Sequence, residues 1–208
     1  PPCDLSAAPK SWLCVGGVFS ALGPLPIALL LLDTWRTMKE SRRPLEPRLT
    51  WVFMVGMAVL HFVGAGLFGF AHTLPQINYY THGSQVTVSH GHLAFFGAYA
   101  LLNLSFFYFA IPRLKGFPGG RYDERAGHWG FWITSSAVVG MSLAFAVAGV
   151  LQSYLERMQG QPYIVAQSPI RFWMFVVFAH GVLVLVGAVI LIKHLLTLRP
   201  APGAAASP

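Results

Sequence analysis

Charged residues are scarce in this sequence of 208 residues, and acidic residues are the scarcest. Only 10% of the residues are charged, with seven Asp and Glu against fourteen Lys and Arg, while 55% are hydrophobic. This composition excludes a soluble globular domain and indicates a chain that crosses a membrane several times. The formal charge of +7 does not indicate nucleic acid, because the basic residues lie in short segments between apolar runs, where they set topology. We therefore expect membrane lipid around the chain and no nucleic acid partner.

Cysteine is also rare, since Cys3 and Cys14 are the only two. Two thiols at this spacing form neither a disulfide framework nor a CxxC metal or redox motif. The chemistry of the protein must therefore come from other side chains.

Five apolar runs are long enough to cross a bilayer as helices. The sequence predicts an all-α, polytopic membrane helical bundle that forms a single membrane domain over 1–208. Gly23, Pro24 and Pro26 lie in the centre of the first run and predict a break or kink there. Pro169 is predicted to begin the last helix. The predicted transmembrane helices cover about 11–35, 50–74, 84–112, 129–154 and 169–196.

Lysine and arginine are distributed unevenly between the two ends of these helices. All but three of the fourteen lie after the first and third helices or at the end of the fifth; the exceptions are Lys10, Arg157 and Arg171. By the positive-inside rule, the C-terminus is cytoplasmic and the start of the third helix faces outward. Five spans that start outside, with neither a start methionine nor a signal peptide, imply at least one upstream helix. We expect the C-terminal part of a larger membrane subunit.

Two histidines, His90 and His92, interrupt the apolar third run in the stretch 81–98, THGSQVTVSHGHLAFFGA. Successive helical residues turn by about 100°, so positions i and i+2 diverge and cannot bind one metal ion together. Each can instead bind a metal on its own flank, and Gly91 leaves space for a flat macrocycle. Histidines inside a membrane helix are costly unless they are paired. The pattern favours a helix shared by two haems, with two hydrogen-bonded interior histidines as the alternative.

The uncharged segment 75–83 precedes this helix and is rich in hydrogen-bonding groups. Tyr79, Thr81 and His82 are candidates to bind haem propionates, although tyrosines are also ordinary residues at a membrane surface. The roles of three histidines stay open between structure, propionate contact and proton relay: His61, His72 and His82. For His180, in the last apolar run, a structural role is favoured.

Residues 76–97, QINYYTHGSQVTVSHGHLAFFG, closely resemble the signature region of the nitric oxide reductase large subunits, the haem b-containing branch of the haem–copper oxidase superfamily. Residues 12–26, with the stretch VFSALGPLP, resemble the same family. The resemblance implies the last five of twelve helices of a respiratory, denitrifying electron-transport enzyme in the bacterial cytoplasmic (inner) membrane. It further implies that His90 is the catalytic, proximal ligand of a high-spin haem b3 and that His92 is an axial ligand of a low-spin haem b.

The implied reaction reduces two nitric oxide molecules to nitrous oxide and water. Electrons would come from cytochrome c or a quinol, and the partners would be the upstream part of the same subunit and a cytochrome c subunit. A non-haem iron would complete the site, with ligands outside this chain. Two departures bear on that metal. Pro1 and Pro2 stand where the family has adjacent histidines, and Gly23 stands where it has a glutamate, which removes a potential ligand and proton acceptor.

Three other functions stay open from the sequence. A divergent relative that acts on nitric oxide or oxygen would accommodate Gly23. A non-catalytic haem b electron-transfer subunit of the membrane would need low-spin haem only. A haem-free transporter or assembly protein would suit the glycines and the kink, but it would leave the stretch SQVTVSHGH without a purpose.

Overall fold

The computed structural model describes residues 10–41 and 47–201, and these residues fold almost entirely into helices. Within those ranges there is no β-strand, so the all-α prediction is confirmed. The predictions made for residues 1–9 and for the tail 202–208 lie outside the described residues. The helices are α1 (Lys10–Ala21), α2 (Pro24–Ser41), α3 (Arg48–Thr73), α4 (Pro75–Thr81), α5 (Gln85–Leu114), α6 (Arg125–Met158) and α7 (Tyr163–Leu196).

Among the described residues, five helical segments are long and apolar enough to span a membrane: Val15–Ser41, which includes most of α1 and all of α2, and the helices α3, α5, α6 and α7. The predicted count of five transmembrane helices is therefore confirmed. The predicted break in the first of them is also present, because α1 ends at Ala21 and α2 begins at Pro24. A proline has no backbone N–H to continue the preceding helix, but it is well suited to begin a new one.

Two boundaries differ from the prediction. The last helix begins at Tyr163, directly after the extended Pro162, and Pro169 lies inside it. The prediction that Pro169 begins this helix is therefore wrong. A proline inside a helix removes one backbone hydrogen bond, but this long apolar helix tolerates that loss. The uncharged segment 75–83 falls between the predicted helices 50–74 and 84–112, but most of it is itself helical and forms α4, since Leu74 is extended and Pro75 occupies the first helical position.

The long helices pack largely in sequence order. Helices α6 and α7 form an antiparallel hairpin, α5 packs on α6, α3 packs on α5, and α1 contacts the last turn of α3. The largest buried side chains gather toward the end of the bundle where α3 and α6 begin and where α5 and α7 end. These core residues are Leu49, Phe53, Leu101, Tyr108, Tyr122, Phe131, Leu191 and Leu198. His90 and His92 lie near the other end of α5, away from this core.

Glu124, in the loop before α6, caps the first turn of α3. Its two carboxylate oxygens accept hydrogen bonds at 2.9 Å from the backbone N–H groups of Arg48 and Leu49. The residue before the helix is Pro47, whose side chain makes no capping bond. The carboxylate therefore satisfies two free N–H groups and complements the positive end of the helix dipole.

His194, near the end of α7, joins two elements through a buried hydrogen-bond network. Its Nε2 lies 2.7 Å from the carbonyl oxygen of Asp123, and its Nδ1 lies 3.0 Å from the hydroxyl of Tyr108. A carbonyl can only accept, so Nε2 carries the hydrogen and Nδ1 accepts from Tyr108. The network therefore connects α7 with α5 and the loop before α6.

Helices α3 and α5 approach each other backbone to backbone at two glycines. A Cβ built on Gly64 would lie 2.5 Å from the backbone N of Ala94, and one built on Gly97 would lie 2.7 Å from the backbone N of His61. Both glycines lie in π-helical segments, Phe62–Phe68 and Phe96–Leu101. Small residues permit such close crossings between membrane helices, and a wide turn changes the face that a helix presents.

Substituting either crossing glycine tests this packing. We expect Gly64→Ala or Gly97→Ala to destabilise the fold by about 1–3 kcal/mol, because the methyl group would meet backbone atoms that cannot move aside. Thermal unfolding in detergent, followed by circular dichroism, should show a midpoint lowered by several degrees. Gly181→Ala is the matched control, since a Cβ there meets nothing within 4 Å. Equal midpoints for all three variants would contradict the close crossing.

Removing one hydroxyl tests the His194 network. We expect Tyr108→Phe to cost about 1–3 kcal/mol, because it leaves the buried Nδ1 of His194 without a donor. The same unfolding experiment measures the loss. Tyr99→Phe serves as the control, since Tyr99 is 62% exposed. A Tyr108→Phe midpoint equal to that of the control would show that the network adds no stability.

Candidate functional site

The first turn of α5 is fixed by a cluster of short hydrogen bonds. The hydroxyl of Ser84 donates to the carbonyl of Thr81 at 2.7 Å and accepts from the N–H of Val86 at 3.3 Å. The hydroxyl of Thr87 donates to the same Thr81 carbonyl at 3.0 Å. Serine and threonine are effective caps because their hydroxyl groups replace missing backbone partners. This cap fixes where α5 begins and hence the directions in which its histidines point.

His90 points toward α3. Its Nδ1 lies 2.8 Å from the carbonyl oxygen of Gly64, so this nitrogen carries the hydrogen and Nε2 keeps its lone pair. The ring is also stacked on that of His72, with centroids 5.2 Å apart and planes inclined by 26°. A Cβ built on Gly69 would lie 3.4 Å from Cε1 of His90. The side chain is thus held on several sides by α3.

His92 points toward α6. Its Nδ1 lies 2.9 Å from the carbonyl oxygen of Val88, which again leaves the lone pair on Nε2. Its ring packs on Phe145, with centroids 5.0 Å apart and planes inclined by 35°, and the residue is exposed. The two histidines therefore lie on different flanks of α5, as positions i and i+2 of a helix require.

Ser89, one residue before His90, ties α5 to α6. It is fully buried, and its hydroxyl donates to the carbonyl of Ser142 at 2.7 Å. A second close contact lies nearby, because a Cβ built on Gly149 would clash with the backbone of Val86. The histidine-bearing segment is therefore fixed against α3 on one side and against α6 on the other.

The other candidate residues lie on or just after α4, at the same end of the bundle. Tyr79 is exposed and packs edge-on against Tyr80, with centroids 5.0 Å apart. The hydroxyl of Thr81 donates to the carbonyl of Ile77 at 2.9 Å, and His82 is exposed. In the part of the chain that the structure describes, no hydrogen bond joins these three side chains to His90 or His92.

The remaining intramembrane histidines are partly buried. His72 and His180 both direct Nδ1 at the carbonyl four residues earlier, at 2.8 Å in each case. His180 packs against Gly140 of α6, and Nδ1 of His61 is buried without a partner among the described residues. Sequence spacing did not reveal that His72 stacks on His90, because the contact joins two helices and periodicity describes only one.

The arrangement fits haem ligands better than a metal ion held by the chain itself. Among the residues that the structure describes, no three His, Cys, Asp or Glu side chains converge as a metal-binding set. An axial haem ligand needs a single imidazole nitrogen, ideally oriented by a hydrogen bond from its other nitrogen. His90 and His92 both meet this requirement. The space beside Gly91 is open, since a Cβ there meets nothing within 4 Å.

Comparison with known proteins finds relatives that match most of this chain. It is 40% identical over 191 residues to a nitric oxide reductase subunit of Stutzerimonas stutzeri, covering 88% of this chain and 40% of that protein. It is 26% identical over 188 residues to cytochrome c oxidase subunit 1 of Rhodobacter capsulatus, covering 85% of this chain and 35% of that protein. The chain thus spans about two fifths of the length of these relatives, and the resemblance seen in the sequence is confirmed.

The chain also matches a protein family over most of its length. The family model described as cytochrome c and quinol oxidase polypeptide I matches residues 5–183, which include α1 to α6 and more than half of α7. Because the model matches most of the chain, this multi-pass membrane protein belongs to the cytochrome c and quinol oxidase polypeptide I family, the haem–copper oxidases.

Proposed function

We propose that this member of an oxidoreductase family is the haem-binding part of an enzyme that reduces nitric oxide to nitrous oxide. The observation that carries the proposal is the divergent pair His90 and His92, each with Nδ1 on a backbone carbonyl and Nε2 free to bind iron. The 40% identity to a nitric oxide reductase subunit, against 26% to a cytochrome c oxidase subunit, supports nitric oxide as the substrate.

His90 is the proposed axial ligand of the high-spin haem b3, on the α3 side of α5. Its hydrogen bond to the Gly64 carbonyl selects one tautomer and makes Nε2 a stronger donor to iron. When bound, this haem and a neighbouring non-haem iron would supply the redox chemistry that converts two nitric oxide molecules, two electrons and two protons into nitrous oxide and water. We propose that the ligands of the non-haem iron come from outside this chain.

His92 is the proposed axial ligand of the low-spin haem b, on the α6 side. The Val88 carbonyl fixes its tautomer, and the Phe145 ring limits rotation of the imidazole. The second axial ligand of a low-spin haem would come from outside this chain. In this proposal, His92 holds the haem that would pass electrons to the haem at His90.

Tyr79, Thr81 and His82 are proposed to bind the haem propionates. The exposed Tyr79 hydroxyl and His82 ring can donate hydrogen bonds to carboxylates. Thr81 already donates its hydroxyl hydrogen to the Ile77 carbonyl, so it would have to give up that bond to contact a propionate. Of the three, Tyr79 and His82 are thus the better placed.

We also propose the cellular setting. The chain would lie in the bacterial cytoplasmic membrane with its C-terminus in the cytoplasm, which the distribution of Lys and Arg supports. Its electron donor would be cytochrome c or a quinol. Its partners would be the upstream part of the same subunit and a cytochrome c subunit.

Gly23 favours a second candidate, a divergent relative that disproportionates nitric oxide or reduces oxygen. It lies between α1 and α2 and has no side chain to supply a carboxylate. A metal site without that carboxylate would lack one potential ligand and one proton acceptor. A non-catalytic haem b subunit is a third candidate and would show a purely low-spin optical spectrum.

Substitution of the two histidines tests the ligand assignment in the complete polypeptide that the gene encodes. We expect His90→Ala to lower nitric oxide turnover by about 100-fold or more and to remove the high-spin signal, since losing an axial ligand costs more than losing a group that only orients one. His92→Ala should remove the low-spin signal instead. Optical and electron paramagnetic resonance spectra separate the two. His128→Gln, at the opposite end of the bundle, is the control. Unchanged turnover in His90→Ala would refute the assignment.

Product analysis tests the reaction. We expect isotopically labelled nitric oxide, supplied with a reduced donor in the absence of oxygen, to yield one nitrous oxide for every two nitric oxide molecules, as detected by mass spectrometry. Dinitrogen together with oxygen would identify disproportionation. Consumption of oxygen to water, with no reaction of nitric oxide, would identify an oxidase and exclude the proposed reaction.

A further inference from the structure

His72 lies in the last turn of α3, and its ring covers one face of His90. The ring centroids are 5.2 Å apart and the planes are inclined by 26°, which is a stacked arrangement. Both side chains are partly buried. The contact joins the end of α3 to α5, and the position of the His72 ring limits the orientations open to the His90 ring.

The ring of His72 is itself anchored. Its Nδ1 donates to the carbonyl of Phe68 at 2.8 Å. The other nitrogen, Nε2, is buried and has no hydrogen-bond partner among the described residues, which is an unfavourable state for a polar atom. A phenylalanine would stack without that penalty, but it could not make the anchoring bond. The cost of the unpaired nitrogen therefore indicates that the fixed orientation of the ring matters.

Two further contacts from α3 complete the surroundings of His90. The Gly64 carbonyl accepts from Nδ1 at 2.8 Å, which fixes the tautomer but still permits the ring to tilt about that bond. Gly69 lies against Cε1, since a Cβ built there would be 3.4 Å away. The stacked ring of His72 is the contact that opposes tilting.

We propose that His72 is a positioning residue for His90: anchored on Phe68, its ring holds the His90 imidazole in the plane that presents Nε2 to haem iron. This inference rests on the proposed function, because it assumes that His90 binds iron. The role of His72 is exerted through His90, without contact to substrate. Residues that orient an axial imidazole tune the strength of the iron–nitrogen bond.

The chain offers a closely matched control in His180. Like His72, it is a partly buried histidine of a membrane helix, and its Nδ1 donates at 2.8 Å to the carbonyl four residues earlier, that of Val176. Its ring, however, packs on Gly140 of α6 instead of on a histidine. Replacing either histidine by alanine therefore removes a partly buried imidazole, but only His72→Ala also removes the stack on His90.

Resonance Raman spectroscopy of the ferrous, complete polypeptide tests the proposal through the iron–histidine stretching band. We expect His72→Ala to broaden and shift this band and to lower high-spin haem occupancy by about 10-fold. His72→Phe should show a smaller change in both, because it keeps the ring and loses only the anchor. His180→Ala should leave the band unchanged. The thermal unfolding midpoint of each variant reports any general loss of folding.

The outcomes separate the two proposals. A band that His90→Ala removes and His72→Ala leaves unaltered would refute the positioning role while preserving the haem ligand. An equal change in His72→Ala and His180→Ala would also refute it, since the effect would then follow from loss of any buried imidazole. An iron–histidine stretching band that is the same in His90→Ala as in the wild type would refute the proposed function itself.

Discussion

The close crossing of α3 and α5 is the constraint on which the arrangement of the histidine-bearing region depends. At Gly64 and Gly97 the two helices meet with no side chain between their backbones. Only this separation brings the Gly64 carbonyl to 2.8 Å from Nδ1 of His90. The same approach carries the following turns of α3 alongside α5, so that His72 reaches the ring of His90. In a membrane, where the hydrophobic effect between helices is absent, such small-residue contacts are a principal source of association.

The two ends of the bundle differ in how far their polar groups are satisfied within the chain. At one end, large buried side chains, the Glu124 cap and the His194 network satisfy backbone and side-chain groups. At the other end, the side chains keep potential for further interactions: Nε2 of His90 and His92 retain lone pairs, and the side of Gly91 is open. Polar atoms within a membrane must find partners in the protein or in a ligand. The first end therefore contributes stability, and the second carries the candidate site.

The sequence was sufficient for the architecture because span length and hydropathy act locally. Five spans, the break at Gly23 and the divergence of His90 from His92 all follow from rules that concern one helix at a time. The start of α7 was misplaced at Pro169, since a long apolar helix absorbs one missing hydrogen bond. The His72 stack and the His194 network were not predicted, because each joins side chains from different segments of the chain. Contacts between different segments do not produce a periodic pattern of residues in the sequence.

The shared helix also has a kinetic consequence. His90 and His92 are separated by Gly91 alone, within one helix that Ser89 and the α3 crossing hold in place. For a pair of bound redox centres, this makes a covalent bridge of three residues, and electron tunnelling falls off steeply with the length of such a bridge. In the proposed function, the backbone of this one helix would set the distance across which electrons pass between the two centres. Regulation of the proposed enzyme would then act on driving force, through the potentials of the two centres, because the helix would fix their spacing.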